Sequence, residues 1–131
     1  MKLKLSLLFV MASFTINAQI SEKEIDVLVE HHHYTTLNSF WDEERKYVDE
    51  EYRSIPCPFK KINAPDFKIE YEWTIDELEG YFNTWSALQK FIAAKRYNPV
   101  NELMEKIRPI WKTEKMRIAF PVHLLFAQVE K

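Results

Sequence analysis

Glycine is almost missing from this chain: 131 residues contain one, Gly80. A single glycine cannot build a phosphate-cradling loop of the G-x-G-x-x-G or P-loop kind, because the backbone closes on a phosphate at several positions that admit no Cβ. Cysteine is as scarce. The lone Cys57 excludes an internal disulfide and a cysteine-based zinc cluster. No excess of one charge exists either: 18 Lys and Arg oppose 20 Asp and Glu, for a net charge of −2. A nucleic-acid partner would call for a basic excess, so none is expected. The apolar run Leu5 to Phe14 is too short to span a bilayer, so no stable membrane span is expected. There are no internal repeats, low-complexity tracts or flexible linkers. What is plentiful is apolar and aromatic: 47% and 15% of the residues. That supplies the core of one domain, which at this length buries about two-thirds of its unfolded surface.

Residues 1–19 stand apart from the body at 20–131. Lys2 and Lys4 precede the apolar run, and Ile16-Asn17-Ala18 places a small residue before Gln19. This is the pattern of a secretory signal cleaved after Ala18. The same run also reads as a buried strand, since short apolar runs are not assigned by periodicity alone.

In the body, Ser21 and Glu24 have capping-box spacing. Ile25, Leu28, Val29, His32 and Thr36 then share one face of a helix over about 22–37. Asp42 is placed to cap a charged helix through Arg53, which Ile55-Pro56-Cys57-Pro58 ends. From Asp66 to Trp73 apolar and charged residues alternate strictly, which predicts a strand. Thr74 and Glu77 form another capping box. A helix to about Lys95 follows, with Leu78, Tyr81, Phe82, Trp85, Leu88 and Ile92 in one stripe. Asn98-Pro99 starts a further helix carrying Val100, Leu103, Met104 and Ile107, which Pro109 bends or ends near Trp111. Alternation returns over 117–129, where Pro121 marks a bulge or an unpaired position. Two strands are marginal by themselves. Both are apolar enough to expect a larger sheet.

Chemically suggestive clusters are few. His31-His32-His33 lacks the i, i+4 partners a helical metal site needs, because Thr35 and Thr36 occupy those places. One histidine is expected to pack and the others to be solvated. The acids from Asp42 to Glu51 alternate with Arg45, Lys46 and Arg53 as a salt-bridged solvent face does. Cys57 sits between prolines with no activating base nearby.

The stretch from Phe40-Trp41-Asp42 through Arg45, Tyr47, Tyr52 and Arg53 to Pro56 and Phe59 resembles the C-terminal half of class I S-adenosylmethionine-dependent methyltransferases of the trans-aconitate methyltransferase-like kind. Glu72-Trp73-Thr74 with Tyr81, Thr84-Trp85-Ser86-Ala87, and Arg117-Ile118-Ala119-Phe120-Pro121-Val122 resemble it in the same order. The likeness covers about residues 20–131. It implies an α/β chain that is the C-terminal portion of a Rossmann-like fold: two antiparallel strands (67–73 the sixth, 117–129 a reversed seventh), about four helices, and Leu7–Ala12 as a remnant N-terminal strand. It implies S-adenosylmethionine as the parent family's donor, bound by an upstream lobe absent here, so that this chain alone binds none and is inactive. It implies a small-molecule acceptor and a cytoplasmic origin, with no catalytic residue in this half. Tyr81, Trp85 and Ser86 would line the acceptor pocket, since aromatic walls with a few polar groups suit small ligands. Arg53 would clamp an acceptor carboxylate. The rival reading, drawn from residues 1–19, is an exported stand-alone α+β module that binds a ligand or partner.

Overall fold

A computed structural model describes residues 16–129, with side chains from Glu22 onward. The signal-like run and the remnant strand at Leu7–Ala12 lie outside the described residues.

The first helix, α1 (Ile16–His31), begins earlier than its sequence pattern predicts, so Ser21 lies within it and not at its start. It does not stop cleanly. A π-helical turn over His32–Thr36 follows, closed by the Leu37 N–H donating to the His32 carbonyl at 3.0 Å. The wider turn brings two consecutive side chains inward, and both His32 and His33 are buried. The expectation of one packed histidine is therefore corrected to two, with His31 alone exposed.

The predicted helix from Asp42 shrinks to α2 (Arg45–Asp49). Asp42 does not cap it; its carboxylate pairs with Lys90. Glu51 and Tyr52 end the segment at φ of 55° and 60°. This left-handed backbone usually falls to glycine, and it costs other residues about 1–3 kcal/mol each. A chain with one glycine has to place such turns on residues with a Cβ.

A short strand, β1 (Lys60–Ile62), precedes the predicted strand, which is β2 (Phe67–Trp73). Thr74 then caps α3 (Ile75–Asn83): the Glu77 N–H donates to Thr74 Oγ1 at 3.2 Å, and the Thr74 N–H to Glu77 Oε2 at 2.7 Å. The long helix predicted to Lys95 is broken after Asn83. Thr84 Oγ1 donates to the Tyr81 carbonyl at 2.7 Å, and Asn83 Nδ2 to the Glu79 carbonyl at 2.8 Å. Such side chains compete for backbone groups and favour helix ends over interiors. Trp85 is extended at ψ 128°, and α4 (Ser86–Lys95) restarts after it. The register survives the break, so Leu78, Phe82, Trp85 and Leu88 still share the core.

Asn98 Oδ1 accepts from the Val100 N–H at 2.9 Å and so starts α5 (Val100–Ile107), whose Val100, Leu103, Met104 and Ile107 are all buried. A 3₁₀ turn over Arg108–Ile110 carries Pro109 and ends at Trp111, as its position predicts. The chain returns in β3 (Met116–Val122), antiparallel to β2, with Trp73 opposite Met116 and Phe67 opposite Val122. Pro121 stays in register opposite Lys68, so it marks neither a bulge nor an unpaired position. The strand predicted over 117–129 instead breaks at 123–125. Its remainder, β4 (Phe126–Gln128), pairs with β1 in a second two-stranded sheet.

Helices α1, α3, α4 and α5 thus pack on one another and on one end of β2–β3. Phe82, Ile25, Leu78 and Ile107 are fully buried among them. Among the described residues no helix is long and apolar enough to cross a membrane.

Candidate functional site

β2 runs toward Trp73, and an aromatic cluster gathers at that carboxyl end. The Tyr81 ring lies 5.2 Å from Trp73 and meets Trp85 edge-on at 5.8 Å. Trp85, 7% exposed, contacts Trp41 at 5.6 Å and His33 at 5.4 Å. His33 stacks on Trp41 at 4.5 Å, and the Trp41 indole donates to the His33 carbonyl at 3.1 Å. Three separate elements therefore converge: the π-helical turn, the loop before α2, and the break between α3 and α4.

The charge at this cluster is Arg45. Its guanidinium carbon lies 4.8 Å over the Trp41 ring, and Nη2 sits 3.5 Å from His33 Nε2. Asp49 Oδ1 is 3.5 Å from Arg45 Nε. Burial pushes the Asp49 carboxyl up, against the pull of Arg45. Burial likewise pushes the Tyr81 hydroxyl up. His32 and His33 are lowered to about 4, first by burial, then by His31 for His32 and by Arg45 and His32 for His33. Both imidazoles are thus neutral at pH 7 and weakly basic. The cluster is aromatic-walled with one cation.

Of the residues expected at a site, Tyr81 and Trp85 come together. Ser86 follows Trp85 directly but is exposed in the first turn of α4. Arg53 is elsewhere. Its Nε donates to the Glu50 carbonyl at 3.1 Å, and Nη2 lies 3.8 Å from Glu51. It lines a cavity of about 290 Å³ with Lys61, Asp66, His123 and others. Asp66 precedes β2 and Val122 ends β3, so that cavity sits at the opposite end of the sheet. His33, Trp41 and Arg45 were not singled out as site residues. Trp41 and Arg45 carry a legible signal, an aromatic four residues before an arginine. His33 carries none, because only the π-helical turn turns it inward.

Of the acids at 42–51, Asp42 and Glu51 form exposed ion pairs with Lys90 and Arg53, and Asp49 forms a half-buried one with Arg45. Cys57 is a free thiol in the loop before β1. Among the described residues no three His, Cys, Asp or Glu side chains group as a metal site would. Gly80 lies inside α3, and a Cβ there would meet nothing within 4 Å. It is not a point of close backbone approach.

No protein-family model matches the chain. A candidate methyltransferase of Dictyostelium discoideum is 27% identical over 116 residues, which are 84% of this chain and 44% of that protein. The solved structure of a candidate type II methyltransferase from Anaeromyxobacter dehalogenans matches with a TM-score of 0.72 and 31% identity, over 78% of this chain and 44% of that one. The chain therefore has the α/β fold of part of a methyltransferase and spans less than half the length of the relatives it matches.

Proposed function

We propose that this chain is the acceptor-side, C-terminal part of an S-adenosylmethionine-dependent methyltransferase acting on a small molecule, and that it is inactive without a donor-binding lobe. The observation that carries this reading is the pair of methyltransferase matches, each confined to 44% of the relative's length. The sheet supports it. Phe67, Ile69 and Tyr71 form an apolar face of β2 that is about half exposed. A continuous face of this kind is usually covered by another surface.

The aromatic walls and the lone guanidinium favour a carboxylate as the acceptor. An ionised carboxylate is already a nucleophile and needs no general base. The contribution of this half is then to orient the acceptor and exclude water, which by proximity alone is worth up to about 7–11 kcal/mol of barrier in well-oriented systems. Trp85 and Tyr81 form the wall that does this.

Thermal unfolding of the chain with S-adenosylmethionine tests the division of labour. The melting temperature is expected to stay unchanged; a saturable rise would place donor binding on this chain and overturn the reading. The alternative of an exported stand-alone binding module is favoured by the basic-then-apolar pattern of residues 1–19. A secreted product beginning at Gln19 would establish it.

A further inference from the structure

We propose that Arg45, not Arg53, receives the acceptor's carboxylate, in the site walled by Trp41, Tyr81 and Trp85. This rests on the reading of the chain as the acceptor side of a methyltransferase, and it relocates the recognition from one end of the sheet to the other.

The first argument is position. In open α/β sheets ligands bind outside the carboxyl ends of the strands. Trp73 closes β2 at that end and touches Tyr81, which touches Trp85, which touches Trp41. Arg45 stands on Trp41. Arg53 shares its cavity with Asp66, before the amino end of β2.

The second argument is unsatisfied chemistry. His33 Nδ1 and His32 Nε2 are buried without a hydrogen-bond partner, and the buried Arg45 Nε and Asp49 Oδ1 have only each other, at 3.5 Å. Buried polar atoms are nearly always bonded, so such a concentration asks for a partner. Asp49 at 3.5 Å orients the guanidinium without satisfying it. By contrast Arg108 is occupied at the surface by Asp76 and Glu79. A planar carboxylate accepts two parallel N–H bonds from a guanidinium, and the aromatic faces suit a flat carbon skeleton. One cation among aromatic rings fits a monocarboxylate better than a phosphate, which collects several cations or a helix N-terminus.

The test uses the whole chain and crotonate, a flat monocarboxylate, with methyl crotonate as its uncharged match and inorganic phosphate as the competing anion. Binding is read by NMR at the Trp41 indole N–H and the Arg45 Nε–H. Crotonate is expected to shift both saturably, and the ester neither. Arg45→Gln should abolish saturation. Arg45→Lys, which keeps the charge and stem, should weaken binding roughly tenfold through loss of the bidentate fork. Arg108→Gln should leave binding unchanged. A preserved Trp41 indole position shows that a variant is folded; if Arg45→Gln loses it, Arg45→Lys decides. Absence of saturable shifts, wild-type binding by the Arg45 variants, loss on Arg53→Gln instead, or phosphate binding as tightly as crotonate would each overturn the proposal. No donor is involved, so failure here removes Arg45 and leaves the methyltransferase reading standing. Crotonate bound at Arg45 in a chain that transfers no methyl group when joined to a donor lobe would do the reverse.

Discussion

The helical and sheet regions carry similarly apolar patterns and meet different fates. In the helices the apolar stripe is closed inside the chain: Ile25, Leu78, Phe82, Leu88 and Ile107 have no exposed surface. In the sheet, Phe67, Ile69 and Tyr71 alternate as regularly yet remain 51%, 48% and 47% exposed. Their cross-strand neighbours Ile118 and Phe120 lie closer to the helices, and Ile118 is buried. The difference is one of available partners. Helices find each other within the chain, while β2 has β3 on one edge and no described layer over most of its face. Stability should therefore concentrate in the helical region, and the sheet's apolar surface should be worth little until something covers it.

The sharpest way to break this comparison is a pair of truncations. Phe82→Ala empties a fully buried site and should cost about 3–5 kcal/mol in denaturant unfolding. Ile69→Ala should cost under about 1 kcal/mol, as substitutions at half-exposed sites do. Equal costs would mean that the sheet face is covered in solution.

Acid is the next probe, because only the helical region holds buried histidines. His32 and His33 have native values of about 4, below an unfolded value near 6.5. The unfolded chain thus binds more protons between those limits, and stability rises with pH. It should be fully present above about pH 6.5 and fall by on the order of 3 kcal/mol per histidine by pH 4, since a tenfold change in proton affinity is worth about 1.4 kcal/mol. His33→Phe should flatten the profile in denaturant titrations across that range. A profile unchanged by the substitution would remove His33 as a source.

The smallest effect expected is a gain. Arg96 ends α4 in left-handed backbone at φ 67°. Glycine is at ease there, so Arg96→Gly should raise stability by roughly 0.5–1 kcal/mol. A loss in thermal melts would mean that the arginine side chain offsets its backbone strain.

Much of the fold was legible where a local signal and the final packing agree. The Thr74–Glu77 box, the alternation over 67–73, and Asn98 before Pro99 are each settled within a few residues. The errors arise where local chemistry was overruled. Ser21 has a capping spacing but sits within α1, because helix continues through it. The charged run after Asp42 has helical spacing but supports only one turn and a half of helix, with Asp42 drawn to Lys90 on α4. The break at Thr84–Trp85 was hidden because its core stripe keeps its phase across it. The candidate site was half legible: Tyr81 and Trp85 stand out as an aromatic pair, whereas His33 and Arg45 become neighbours only through the π-helical turn and the loop that follows it.

Composition and periodicity were sufficient to say that two strands frame an aromatic-striped helical segment, and which faces are apolar. These follow from bond geometry and from the 3.6- and 2-residue repeats. Which arginine stands by Trp85, which histidines go inside, and which apolar face is left in water belong to the three-dimensional packing. Those outcomes depend on contacts between residues far apart in the chain, and no local spacing encodes them.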